Sequence, residues 1–143
     1  MKATIIGKVL LSLGLVFVLG SAITQVRGGD PQDPPLPIIT IHSTGDVKRG
    51  KTGSFVLSMD PVVFGGAYVN FTVSGTAIPG VDYVPLVSPA HIGQAGYGVI
   101  LVQTLPDPRA SSPRQAYSVV VTLEPGPGYA LAEPKSAQMM INP

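Results

Sequence analysis

Ala67-Tyr68-Val69-Asn70-Phe71-Thr72-Val73-Ser74, followed without a break by Gly75-Thr76-Ala77-Ile78-Pro79-Gly80-Val81-Asp82-Tyr83, decides the fold. In the first eight residues Ala67, Val69, Phe71 and Val73 point one way and Tyr68, Asn70, Thr72 and Ser74 the other. A period of two with one apolar side marks a half-buried strand of an antiparallel sheet. The next nine residues force a corner. Gly75 permits a positive φ directly after the strand. Pro79-Gly80 fits the second and third positions of a type II turn. Asp82 can bond its own local backbone or project a carboxylate outward, and Tyr83 can bury its ring while its hydroxyl reaches a partner. Asp82 is therefore the leading candidate site residue, with a turn-capping role as its alternative.

Similar strands lie on either side. Ile38–Ser43 is rich in β-branched residues. Gly45–Lys51 is a polar turn whose bases Lys48, Arg49 and Lys51 read as a solvated loop. Ser54–Met59 sets Phe55, Leu57 and Met59 on one face. Leu86–Ile92 forms a short strand interrupted by Pro89, which suits a sheet edge. Tyr97–Gln103 is apolar on both faces at its centre, so it is expected well inside a sheet. Pro106–Pro113 is a loop, and Tyr117–Leu123 and Ala137–Ile141 alternate again. Nothing after residue 30 keeps a helical period of useful length. About seven short strands, with turn signals between them, predict an all-β fold: a two-sheet antiparallel sandwich over residues 38–143.

With 143 residues there is room for one ordinary domain. Charged residues make up 12% of the chain, about half the usual share. Lys2 and Lys8 precede the uncharged run Val9–Leu19, and Gly20-Ser21-Ala22 offers small residues for cleavage, so residues 1–22 read as a signal peptide. The alternative is a single N-terminal anchor, but the apolar run is shorter than the ~20 residues of a usual span. Residues 23–37, with Pro31, Pro34, Pro35 and Pro37, read as a proline-rich linker, since proline offers no donor to a ladder. The expected location is secreted, periplasmic or at the cell surface. Loss of Lys2 and Lys8 from the 9 basic residues leaves 7 against 8 acidic ones, a formal net charge of −1. That charge gives no footprint for nucleic acid or an anionic membrane. With Cys 0, disulfides, zinc–thiolate sites and cysteine nucleophiles are excluded.

Gly75-Thr76-Ala77-Ile78-Pro79-Gly80-Val81-Asp82-Tyr83 resembles the G-T-A-x-x-G-x-D-Y motif of the Calx-beta domain family. Gly53-Ser54-Phe55-Val56-Leu57 is similar to that family's second strand, Ile92-Gly93-Gln94 to its apolar-Gly-Glu/Gln turn, and Leu105-Pro106-Asp107 to the end of a later strand. The resemblance spans about Ile38 to Asn142. It implies an immunoglobulin-like β-sandwich and a non-enzymatic role in structure, adhesion or binding to a protein, cell-surface or matrix partner. Some members bind Ca²⁺ at one end of the sandwich through loop carboxylates, and Ca²⁺ takes 6–8 oxygen ligands. On this resemblance Asp82 and Asp107 are the candidate ligands of a weak Ca²⁺ site. The chain departs from the pattern beside them. Asp107 is flanked by Pro106 and Pro108, and an acid of the family's pattern falls near Lys48 or Arg49, which are basic.

Other chemistry is sparse. His42 and His91 read as lone strand residues, no G-x-S-x-G is present, and Asp60, Asp107, Glu124 and Glu133 all adjoin prolines. No catalytic residue is expected. Tyr68, Tyr97, Tyr117 and Tyr129 could line a carbohydrate surface, but Trp 0 removes the usual stacking platform. Tyr117 and Tyr129 are expected to pack near the sandwich end.

Overall fold

In the computed structural model, residues 33–109 and 114–143 are described. Residues 1–22, read above as a signal peptide, and most of the expected linker 23–37 lie outside the described residues. The folded unit is Leu36–Pro143. It is all β: β1 (Ile38–Ser43), β2 (Val47–Lys48), β3 (Thr52–Asp60), β4 (Ala67–Val69), β5 (Phe71–Ser74), β6 (Ala90–Ile92), β7 (Tyr97–Gln103), β8 (Tyr117–Leu123), β9 (Ala130–Leu131) and β10 (Ser136–Asn142).

One sheet has the order β7-β3-β1-β9, the other β2-β10-β8-β5, and β4-β6 form a small third pair. The long pairings β1–β3, β3–β7, β5–β8 and β8–β10 are antiparallel. This is the order of an immunoglobulin-like sandwich, with its first, second and fifth strands on one sheet and its third, sixth and seventh on the other. Two short pairings are parallel, β1 with β9 and β10 with β2. The second arises because the chain leaves β1 after Ser43, turns at Gly45 (φ 119°) and joins the opposite sheet as β2.

The alternation read from the sequence is the alternation of the core. Ile39 and Ile41, Phe55, Leu57 and Met59, Ile100 and Val102 face Phe71, Val119, Val121, Leu123, Met139 and Ile141, all buried. Each such side chain contributes roughly 1.5–3 kcal/mol by leaving water.

Three expectations about strands change. The strand through Ala67–Ser74 keeps its alternation but breaks at Asn70, with β4 pairing to β6 and β5 to β8. The Asn70 N–H, freed from a ladder, donates to the Tyr129 hydroxyl at 3.1 Å. Only Ala90–Ile92 of the Leu86–Ile92 segment is a strand. And β7 is not inside its sheet: it is the edge strand, with Tyr97, Val99 and Leu101 exposed. Apolar residues on both sides of a strand do not distinguish a doubly covered strand from an edge whose outer side is left bare.

Candidate functional site

Asp82 is held by the corner that precedes it. Gly75 sits at φ 112°, and a Cβ there would stand 2.3 Å from the Ser118 carbonyl oxygen, so only glycine lets the chain cross β8 this closely. The Ala77 N–H then donates to that same carbonyl at 2.8 Å. The Val81 N–H donates to the Ile78 carbonyl at 3.0 Å with Gly80 at φ 83°, the type II geometry read from Pro79-Gly80. Asp82 closes the turn on itself: its N–H donates to the Ile78 carbonyl (2.8 Å), and its Oδ2 accepts the Ile78 N–H (2.6 Å). The adjoining Tyr83 ring is buried, and burial, then the neighbouring Asp82 charge, push its hydroxyl pKa up.

The Asp82 side chain is wholly enclosed. A buried carboxylate is tolerated only when paired and hydrogen-bonded. Two guanidinium groups meet that need. Arg49 Nη2 and Arg109 Nη2 both donate to Asp82 Oδ1. Arg49 follows β2, where its N–H donates to the Asn142 carbonyl at 2.9 Å, and its Nη1 donates to the Leu105 carbonyl at 2.9 Å. Leu105 in turn donates its N–H to the Asp82 carbonyl at 2.9 Å, tying both partners to one stretch of backbone.

Asp107 completes the group. Its Oδ1 accepts the Arg109 N–H and Nε–H, both at 3.0 Å, and its Oδ2 lies 3.6 Å from Arg49 Nη2. The Arg109 N–H and guanidinium hold the Asp107 carboxyl below the usual carboxylate range, and the same contact raises the Arg109 pKa. The Tyr117 ring underlies both cations, with the Arg109 guanidinium carbon 4.0 Å and the Arg49 one 5.7 Å from its centroid. Cations over an aromatic face are attracted by its quadrupole. Tyr117 thus lies at the sandwich end as expected, with a role in charge stabilisation beyond packing.

Asp82 and Asp107 are therefore brought together, but through arginine. The solvated-loop reading of Arg49 is corrected: its side chain is only 11% exposed, drawn inward by Asp82. A calcium ion does not fit these residues as they stand. Asp82 Oδ1 serves two guanidiniums, Oδ2 serves a backbone amide, and Asp107 Oδ1 accepts twice from Arg109. Two fixed positive charges also repel a divalent cation. Among the described residues no group of three or more His, Asp or Glu side chains is placed to hold a metal.

Arg49 and Arg109 were missed as site residues because charge signs in a loop do not show which way a side chain turns. The signal available was a base where the Calx-beta pattern has an acid. The remaining candidates are apart from this group. His42 pairs opposite Val56 on the first sheet, and His91 on β6 stacks on Tyr68 with centroids 4.6 Å apart. Tyr129 is buried, its hydroxyl donating to the Glu124 carbonyl at 2.5 Å.

Two clefts open nearby. One, of about 110 Å³, is lined by Arg49, Asp107, Arg114 and Pro143. The other, of about 340 Å³, runs between β7 and the segment from Val84 to Ala90. Among the described residues neither lining sets a nucleophile beside a base. No model of a known protein family matches the chain, and no curated protein matches it.

Proposed function

We propose that the chain is a non-enzymatic, extracytoplasmic β-sandwich module of Calx-beta type with a structural, adhesion or protein-interaction role. One observation carries this reading: the only carboxylates drawn to the motif-bearing end, among the described residues, are committed to internal partners. A catalytic acid or base must reach a substrate and exchange a proton with it. Asp82 is enclosed and saturated instead, and its effect is to fix the loops around it. On this reading an arginine pair does in this chain what an ion does in calcium-binding members: it neutralises the carboxylates and closes the sandwich end. The apolar run read as an export signal in residues 1–22 supports an extracytoplasmic module.

The test is to express the full chain with a C-terminal tag in its host, separate cell fractions and crosslink. The reading predicts a tagged product shortened by about residues 1–22, recovered outside the cytoplasm and crosslinked to a protein partner. A full-length product retained in the cytoplasm overturns it. Calcium is tested separately by thermal melting. A ligand of the native state raises Tm as its concentration passes Kd. The expected outcome is an unchanged Tm up to several-fold above the ~10⁻³ M weak end of extracellular calcium modules, and a rise would restore calcium to the site.

A further inference from the structure

Strand β7 ends the first sheet, and its outer edge is hydrogen-bonded at one end, closely approached by β6 at the other, and open between them. At one end the Val84 N–H donates to the Gln103 carbonyl at 2.9 Å. At the other, Gly98 lets β6 come close: a Cβ there would stand 2.4 Å from the His91 carbonyl oxygen. The Gln103 bond fixes the direction of every group in between, because the backbone pairs of alternate residues face opposite edges of a strand. Thr104, pointing the other way, donates to Lys51 on the β3 side at 3.3 Å. Val99 and Leu101 therefore turn both N–H and C=O away from β3. Among the described residues no backbone bond from the Val84–Ala90 segment reaches them.

Those four groups face the 340 Å³ groove. Its walls include Val84, Leu86, Val87, Val99, Leu101 and Gln103, and no charged side chain lines it. Pro85 and Pro89 lie in the opposite wall and lack the N–H that would let it close on β7 as a ladder. An immunoglobulin-like sheet covers this edge with its fourth strand, but here β6 pairs with β4 instead. Edge strands are ordinarily guarded by charge, proline or a bulge, and Tyr97–Gln103 carries no charge and no proline.

We infer that the open edge of β7 takes up an extended, uncharged segment of a partner protein, which adds to the first sheet beside Val99 and Leu101. The inference rests on the interaction-module reading and names its docking surface. Main-chain bonds hold such a strand and alternate side chains select it. Charge sets the selection: a charged side chain turned into this groove would lose water and find no counter-charge. Val84–Val87 stand on the far side of the groove, so an occupant must enter between that wall and β7, which a single extended segment can do and the whole sheet edge of a second copy cannot.

The test pans a library of random nine-residue peptides against the full-length protein, then measures synthetic versions of the enriched peptides by fluorescence anisotropy. Enriched sequences are expected to be uncharged, with apolar residues at alternate positions. Val99→Pro, which removes an outward N–H and its main-chain bond, and Leu101→Lys, which sets a charge in an uncharged groove, should each weaken binding by about tenfold or more. Melting curves confirm that each variant is folded, and Leu101→Lys alone suffices if Val99→Pro is not. Charged consensus peptides, equal binding to the variants or no enrichment overturns the inference. A dimer in sedimentation velocity that Leu101→Lys abolishes also overturns it, by assigning the edge to a second copy. If the secreted protein still crosslinks to its partner in the Leu101→Lys form, the docking surface is wrong and the module reading stands.

Discussion

Two regions a few residues apart on the chain solve the problem of exposed polar groups in opposite ways. At Asp82 every acceptor is used: two guanidiniums, a backbone amide and an aromatic face close around one buried carboxylate. Two residues later the chain forms its single clamp on Gln103 and then diverges from β7, leaving the Val99 and Leu101 backbone without a strand beside it. The first region is rich in charge and closed, and the second is free of charge and open. The difference teaches that paired charge makes a structural element, even with the buried Arg49 Nε left without a partner, whereas backbone groups with no strand beside them leave a sheet edge open.

Substitutions should separate the two regions by the size of their effects. Asp82→Ala has the largest. It leaves two cations facing each other and the Ile78 N–H without its acceptor, and breaking a buried pair from one side costs about 3–5 kcal/mol. In a domain of this length that lowers Tm by more than 10 °C, at roughly 4–8 °C per kcal/mol. A loss under about 1 kcal/mol in urea unfolding would show that the network is ornament to the fold. Arg49→Gln comes next, at about 1–3 kcal/mol, because Arg109 still holds Asp82 Oδ1. Combining it with Arg109→Gln should cost a different amount from the two single losses added together, since both act on one oxygen. That double variant also sharpens the comparison. With the guanidiniums gone, added CaCl₂ should raise its Tm while leaving the parent unchanged.

The pH limbs are smaller effects with opposite signs. The folded pKa of Asp107 lies below its unfolded value of about 3.9. Its contribution is therefore present above that pH and is lost as pH falls through the folded value, because the unfolded chain takes up the proton first. Asp107→Asn should make the acid limb of the stability curve shallower. Tyr83 is raised above its unfolded value of about 10. Its contribution is present below pH ~10 and is lost as pH rises through the folded value, so Tyr83→Phe should flatten the alkaline limb. Smallest of all is Leu101→Lys, within about 0.5 kcal/mol, because this side chain is 63% exposed. A large loss there would mean that the β7 edge is part of the core and would erase the contrast.

Much of the sandwich is legible in the residues themselves. Phe55, Leu57 and Met59, or Val119, Val121 and Leu123, alternate because one side of each strand must leave water, and that requirement is local. The corner at Pro79-Gly80 is legible for the same reason: its φ values restrict which residues can stand there. What the chain does not announce is which strands end up as neighbours. Tyr97–Gln103 reads as an interior strand, yet the partner that would cover it, β6, is taken by β4 after the break at Asn70. Partner choice depends on contacts far apart in sequence. The site was half legible by the same logic. Asp82 stands out through its own turn, whereas Arg49 and Arg109 gain their roles only when loops 33 and 27 residues away in sequence meet at one oxygen.

The three charges around Asp82 have a consequence for how the domain responds to dissolved ions. Solutions differ widely in calcium and in salt. A module closed by a captured ion stiffens and slackens with that supply. Here the counterions are covalently part of the chain, and the central charge, Asp82, is buried and therefore screened far less by dissolved salt. The loops at this end should therefore keep one shape in dilute and concentrated media alike, without reporting on the ions around them.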